Sequence, residues 1–236
     1  MRTKDGMDQI MGCVNVLILL VIALIYVVTG TGLGDDAIAA LSRGAVYRGR
    51  ANGAVALECV VTWDAANITD ILDTLSQRNA KITFFVSGKW ARNHAKTLQR
   101  ILDEGHEIGT VGYTPFLDGN VQLIQDDVEA AVNAISSITG SQVTSYHSGL
   151  RDRDVSQRAA EALGLTHVAA TADLQTGQGD AEEIVERACQ QAFDGSILMI
   201  RPTAAAAEAL PQILEEIEEM GYRPATVGEV LKGTVT

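Results

Sequence analysis

The chain has 236 residues, 47% hydrophobic and 20% charged, which fits a folded domain with an appendage and excludes wholesale disorder. Lys and Arg number 18 against 30 Asp and Glu, a formal charge of −12, which argues against nucleic acid or an anionic lipid surface as main partner. Three cysteines cannot build a disulfide framework.

No charged residue falls between Gln9 and Gly34, and residues 16–28 read VLILLVIALIYVV. A bilayer-spanning helix needs roughly 20 mostly apolar residues. The sequence therefore predicts a short cytoplasmic tail over 1–9, one transmembrane anchor over 10–30 and a small, polar linker over 31–44. A cleaved signal peptide is the competing reading, but the small-x-small triplet Ala37-Ile38-Ala39 lies far from the apolar run. Arg2 and Lys4 precede the span and Asp35 and Asp36 follow it, so the positive-inside rule places residues 45–236 outside the cytoplasm, on a single-pass membrane protein.

Residues 55–61 (VALECVV) form an apolar, β-branched run that predicts a buried strand. Asn67 or Thr69 is placed to cap a helix carrying Ile68, Ile71, Leu72 and Leu75. Residues 81–86 predict a second strand, 91–104 a helix stopped by Gly105, and 107–109 a brief strand. Asn120 caps a long helix ending at Gly140, and 143–146 is a strand. Asp154 caps a helix to Leu163, 167–171 is a strand, and Asp180 caps a helix to about Phe193. Residues 196–200 are a strand, and Pro211 suits the first turn of a helix through Met220. A last turn is expected around Gly228 to Leu231. This alternation means a parallel sheet covered by helices, with chemistry expected at the C-terminal strand ends if it closes into a barrel. No glycine-rich phosphate loop follows the first strand, and neither Gly-x-Ser-x-Gly nor another serine or cysteine catalytic set is legible.

Several stretches resemble the polysaccharide deacetylase family (NodB homology, carbohydrate esterase family 4). Residues 71–90 are similar to its "ILDxLxxxxxKxTFFVxGxW" segment. GHEIG at 105–109, EEIVER at 182–187 and GSILM at 195–199 follow in family order. The lead-in AVYR at 45–48 resembles the sporulation-type branch. The likeness covers about 45–232 and implies a distorted (β/α)7 barrel.

The family's activity is metal-dependent removal of N-acetyl groups, with one Asp and two His holding a divalent metal such as zinc. Those positions are not kept. Val60 stands where the first motif has Asp, and Asp64 follows late, in the loop. Val111 and Pro115 stand at the two His positions, and neither side chain has an electron pair to donate. His147 replaces the Arg of the third motif. Asp173 survives in the fourth, followed by Thr176-Gly177 in place of Asp-Trp. Arg201 stands where the catalytic acid His belongs. No catalytic residue, metal ligand or cofactor is therefore assigned.

Six residues are candidates for lining a groove. Trp63 could stack on a sugar or pack at the barrel rim. Arg201 could bind a sugar carboxylate or phosphate, or pair with Asp64 or Asp173. Tyr113, His147, Asp64 and Asp173 complete the set. The resemblance implies a cell-wall glycan-binding or envelope and sporulation assembly domain that has lost catalysis. The alternatives are an active deacetylase with an atypical site, and a module for an unknown protein partner. Nucleic acid is not expected as a partner.

Overall fold

The computed structural model describes residues 44–63, 66–149, 151 and 153–233. The anchor expected over 10–30, most of the linker and Asp64 lie outside the described residues. Among the described residues no helix is long and apolar enough to cross a membrane.

Among the described residues, eight strands and eight helices alternate for the most part. The strands are β1 (Ala54–Val61), β2 (Thr83–Val86), β3 (Glu107–Thr110), β4 (Ser145–His147), β5 (Thr166–Val168), β6 (Ala172–Asp173), β7 (Ile197–Ile200) and β8 (Arg223–Ala225). The helices are α1 (Ile68–Gln77), α2 (Gly88–Asn93), α3 (Ala95–Asp103), α4 (Val121–Thr139), α5 (Arg153–Ala162), α6 (Ala181–Gln191), α7 (Ala204–Glu219) and α8 (Val227–Lys232). The sheet runs β5-β4-β3-β2-β1-β7-β6 with every pairing parallel. β8 joins the first residues of β1, below the point where β2 takes over at Glu58.

The result is a curled, half-barrel parallel sheet, in agreement with the expected α/β barrel class. β5 does not pair with β6. Instead residues 46–48 lie along the seam, with Val46 bridging Val168 and Arg48 bridging Ser196.

All eight residues of β1 are buried, as a strand covered on both faces requires. Val55, Leu57, Cys59 and Val61 face the helix layer, packed with Ile71, Leu72, Leu75 and Leu210. Ala54, Ala56 and Val60 face the barrel interior with Phe85, Val168, Ile197 and Met199. The interior is tight: a Cβ on Gly109 would stand 2.4 Å from Phe85 Cε1 and 2.8 Å from Ser145 Oγ.

Local chemistry explains most element boundaries. Asn120 and Asp180 accept the backbone N–H groups of Leu123 and Glu183, and Gly140 ends α4 in the left-handed region at φ 67°. Four expectations are corrected. Asn67 precedes α1 but does not cap it; its side-chain amide donates to Pro202 O at 3.0 Å. The helix expected over 91–104 is two helices, broken at His94, whose ring stacks on Trp90 at 4.9 Å. The strand expected over 167–171 ends at Val168, and the next strand, β6, begins at Ala172. Helix α7 begins at Ala204, not near Pro211: Thr203 caps it, the alanine run propagates it, and Pro211 sits inside.

Candidate functional site

A cavity of about 420 Å³ opens where β1, β3, β4, β6 and β7 end. This is the end of a parallel barrel at which side chains from different strands converge. Val60, Val111, Pro115 and Met199 give it apolar walls, and His147, Asp173 and Arg201 bring polar groups.

Its floor is polar and buried. Glu58, facing inward from β1, has no solvent exposure. Its Oε1 lies 3.2 Å from His147 Nδ1, and neither carboxylate oxygen has a hydrogen-bond donor among the described residues. An unpartnered buried polar group costs free energy, so each of these two groups depends on the presence of the other. Ser145 Oγ is buried without a hydrogen-bond partner among the described residues, and the Phe85 ring lies 5.5 Å from that of His147.

One wall is built by Arg151, which is nearly buried. Its guanidinium donates to the carbonyls of Val111, Thr114 and Leu117 and stands 3.6 Å from Asp127. The Asp127 carboxylate accepts from the backbone N–H groups of Tyr113 and Thr114 at 3.0 and 2.8 Å. Together they fix the loop after β3. That loop places Phe116 in the left-handed region at φ 61°, with 65% of its surface exposed, at the cavity.

At the end of β4, where Ser148 lines the cavity, a second relay runs through Ser148, His167 and Gln157. Ser148 Oγ lies 2.8 Å from His167 Nε2, and His167 Nδ1 lies 2.9 Å from Gln157 Oε1. Burial, then the charges of His147 and Arg153, lower the His167 pKa to about 4. The ring is thus neutral at pH 7, accepting from the Ser148 hydroxyl and donating to the Gln157 oxygen. The connectivity is that of a serine nucleophile, but Ser148 and His167 are buried and Gln157 has no charge to stabilise an imidazolium. The relay acts as a strut joining β4, β5 and α5.

The structure brings three of the six candidate residues together. His147, Asp173 and Arg201 line the cavity, and Arg201 pairs with Asp173 at 2.9 Å. Trp63 stands outside the lining, 51% exposed, with Lys89 Nζ 5.4 Å from its ring centroid. Tyr113 is a correction: it packs against Gly88 and beneath Arg92, away from the cavity, because the loop turns at Gly112 (φ 90°) and points the ring toward α2. Asp64 is outside the described residues. Sequence reasoning missed Tyr47, Phe116, Arg151, Arg153 and Glu58. Only Glu58 carried a signal, a carboxylate inside an apolar strand.

The divalent metal of the resembled family does not fit these residues. Val60, Val111 and Pro115 reach the cavity wall with no donor atom. Among the described residues no three His, Cys, Asp or Glu side chains cluster as a metal site would need.

Residues 58–168 match the family model described as polysaccharide deacetylase. Over those residues, a little under half of the chain, the sequence is similar to a polysaccharide deacetylase domain. An uncharacterized Bacillus subtilis protein, YlxY, is 24% identical over 196 residues, covering 80% of this chain and 61% of that one. The peptidoglycan-N-acetylmuramic acid deacetylase PdaC of Bacillus subtilis is 26% identical over 172 residues, covering 70% of this chain and 36% of PdaC. The chain thus spans between about a third and three fifths of these relatives' lengths. Among solved structures, a carbohydrate esterase family 4 pseudoenzyme from Bacillus anthracis superposes with a TM-score of 0.77 at 24% identity, covering 83% of this chain and 71% of that one. A mutant of that pseudoenzyme is described as having restored enzymatic activity. The described domain therefore shares the fold of these solved structures.

Proposed function

We propose that the deacetylase domain binds cell-wall glycan without hydrolysing it, held outside the cell by the apolar segment at 10–30, in envelope or sporulation assembly. One observation carries this reading. The cavity at the strand ends is open and lined, while its walls at Val60, Val111 and Pro115 offer a metal nothing to hold. Without a metal or an equivalent electrophile, an acetamide carbonyl is not polarised for attack by water. The peptidoglycan deacetylase named among the relatives and the pseudoenzyme among the structural neighbours support both halves of the proposal.

The test uses the full chain in mild detergent. It should co-sediment with purified peptidoglycan, release no acetate from it, and show no saturable zinc binding by calorimetry. Acetate release abolished by Asp173→Asn would overturn the loss of catalysis. Failure to co-sediment would overturn glycan binding.

A further inference from the structure

The cavity's charges are nearly all spoken for. Arg201 pairs with Asp173 and Arg151 with Asp127, while His147 faces Glu58. Arg153, the first residue of α5, is the exception. It lines the cavity, is exposed, and has no carboxylate partner among the described residues. Its guanidinium lies over the Tyr47 ring, 5.2 Å from the centroid. A cation–π contact holds the group by one face and leaves its N–H edge uncommitted. Asp152 and Asp154 flank it in the chain, and among the described residues no ion pair joins it to Asp154.

Phe116 is the second observation. A large apolar side chain, mostly exposed, gains nothing from its position in folding, and its left-handed backbone costs energy for a residue with a Cβ. Arg151 holds the carbonyls of Thr114 and Leu117 on either side of it. A buried ion pair thus maintains an aromatic face at the cavity mouth.

We infer that the cavity takes an acidic saccharide, with a sugar ring against Phe116 and the sugar's carboxylate on Arg153. This rests on the glycan-binding reading and names the class of glycan. The C–H face of a pyranose is apolar enough to lie on an aromatic ring. A carboxylate matches the guanidinium edge with two parallel hydrogen bonds. One uncommitted cation balances one carboxylate, whereas a phosphate monoester dianion would call for two.

The experiment compares two forms of one glycan on the full-length chain. The first is peptidoglycan strands with their carboxylates intact. The second is the same strands after carbodiimide activation and borohydride reduction of those carboxylates to alcohols. The native chain should bind the intact strands about tenfold more tightly, a preference that fades as salt rises. Arg153→Gln should lose the preference yet still bind reduced strands. Phe116→Ala should weaken both forms about equally. Unchanged melting temperatures, expected of exposed side chains, show that both variants fold. Equal affinity of the native chain for both forms would overturn the inference and leave glycan binding standing. Binding to neither form would overturn glycan binding itself.

Discussion

Arg151 shows how one side chain organises a site from behind. It touches three carbonyls of one loop, and its positive charge is compensated by Asp127. Removing one member of a buried pair leaves the other uncompensated, typically at a cost of about 3–5 kcal/mol. Arg151→Met should therefore lower unfolding free energy by about that amount in urea titrations and weaken glycan binding through the loss of Phe116's placement. The Glu58–His147 pair permits a sharper test. Glu58→Leu alone should destabilise by about 1–3 kcal/mol, whereas Glu58→Leu with His147→Phe should recover most of the loss, because replacing both members of a buried polar pair by apolar groups is often near neutral. A double variant no more stable than the single would show that the two are not coupled. Cys59, beside Glu58 in the chain, is held as an inert thiol: burial and then the Glu58 charge push its pKa up. Iodoacetamide should modify it only after unfolding. Of these residues the sequence displays Glu58, as the only charge in β1. It gives no sign of Arg151, whose partners come from a loop 34 to 40 positions earlier.

At the level of strands and helices, two buried histidines tie elements together and make those ties pH-dependent. His106 accepts the Ile82 N–H at its Nδ1, joining the start of β3 to the start of β2. Burial, then Lys81, lowers its pKa to about 4, with Glu104 opposing and Arg100 adding to the shift. His167 is lowered to about 4 as well. A group whose folded pKa lies below its unfolded value near 6.5 is neutral in the fold and takes a proton on unfolding. Its contribution is therefore complete above about pH 6.5 and is lost as pH falls toward 4. The melting temperature should drop across that interval, and the drop should shrink in His106→Gln and His167→Gln. An unchanged slope in both variants would refute the assignment. The caps at Asn120 and Asp180 were legible because they are local chemistry. Pro211 misled because its fitness for a first turn outweighed, on paper, the alanine run before it. The break at His94 depended on a ring stacking on Trp90, which spacing alone does not reveal.

The molecule as a whole was legible where periodicity and motif order agreed: strand–helix alternation and the parallel sheet. Less legible was how the cavity's surviving groups pair off, since Asp173–Arg201, Glu58–His147 and Arg153–Tyr47 each join distant segments. At this scale the −12 charge also predicts a behaviour. Acidic glycan and acidic protein repel at long range, so association with carboxylate-bearing strands should be slow at low salt and speed up modestly as salt screens the repulsion, even as the Arg153 contact weakens. Stopped-flow association rates that fall with added salt would contradict this.

The seam has a mechanical consequence. Residues 46–48 seal the sheet through Val46, whose N–H donates to His167 O and whose carbonyl accepts from Ala169, and through Gly49, which donates to Gly195 O. Tension applied to the chain at Gly44 would reach these few bonds before it reached any of β1–β8. Tyr47 sits between them and forms part of the cavity. The first thing a pull would peel away is thus the ring on which Arg153 rests, so grip on a ligand would slacken under traction while the strands β1–β8 stayed paired with one another.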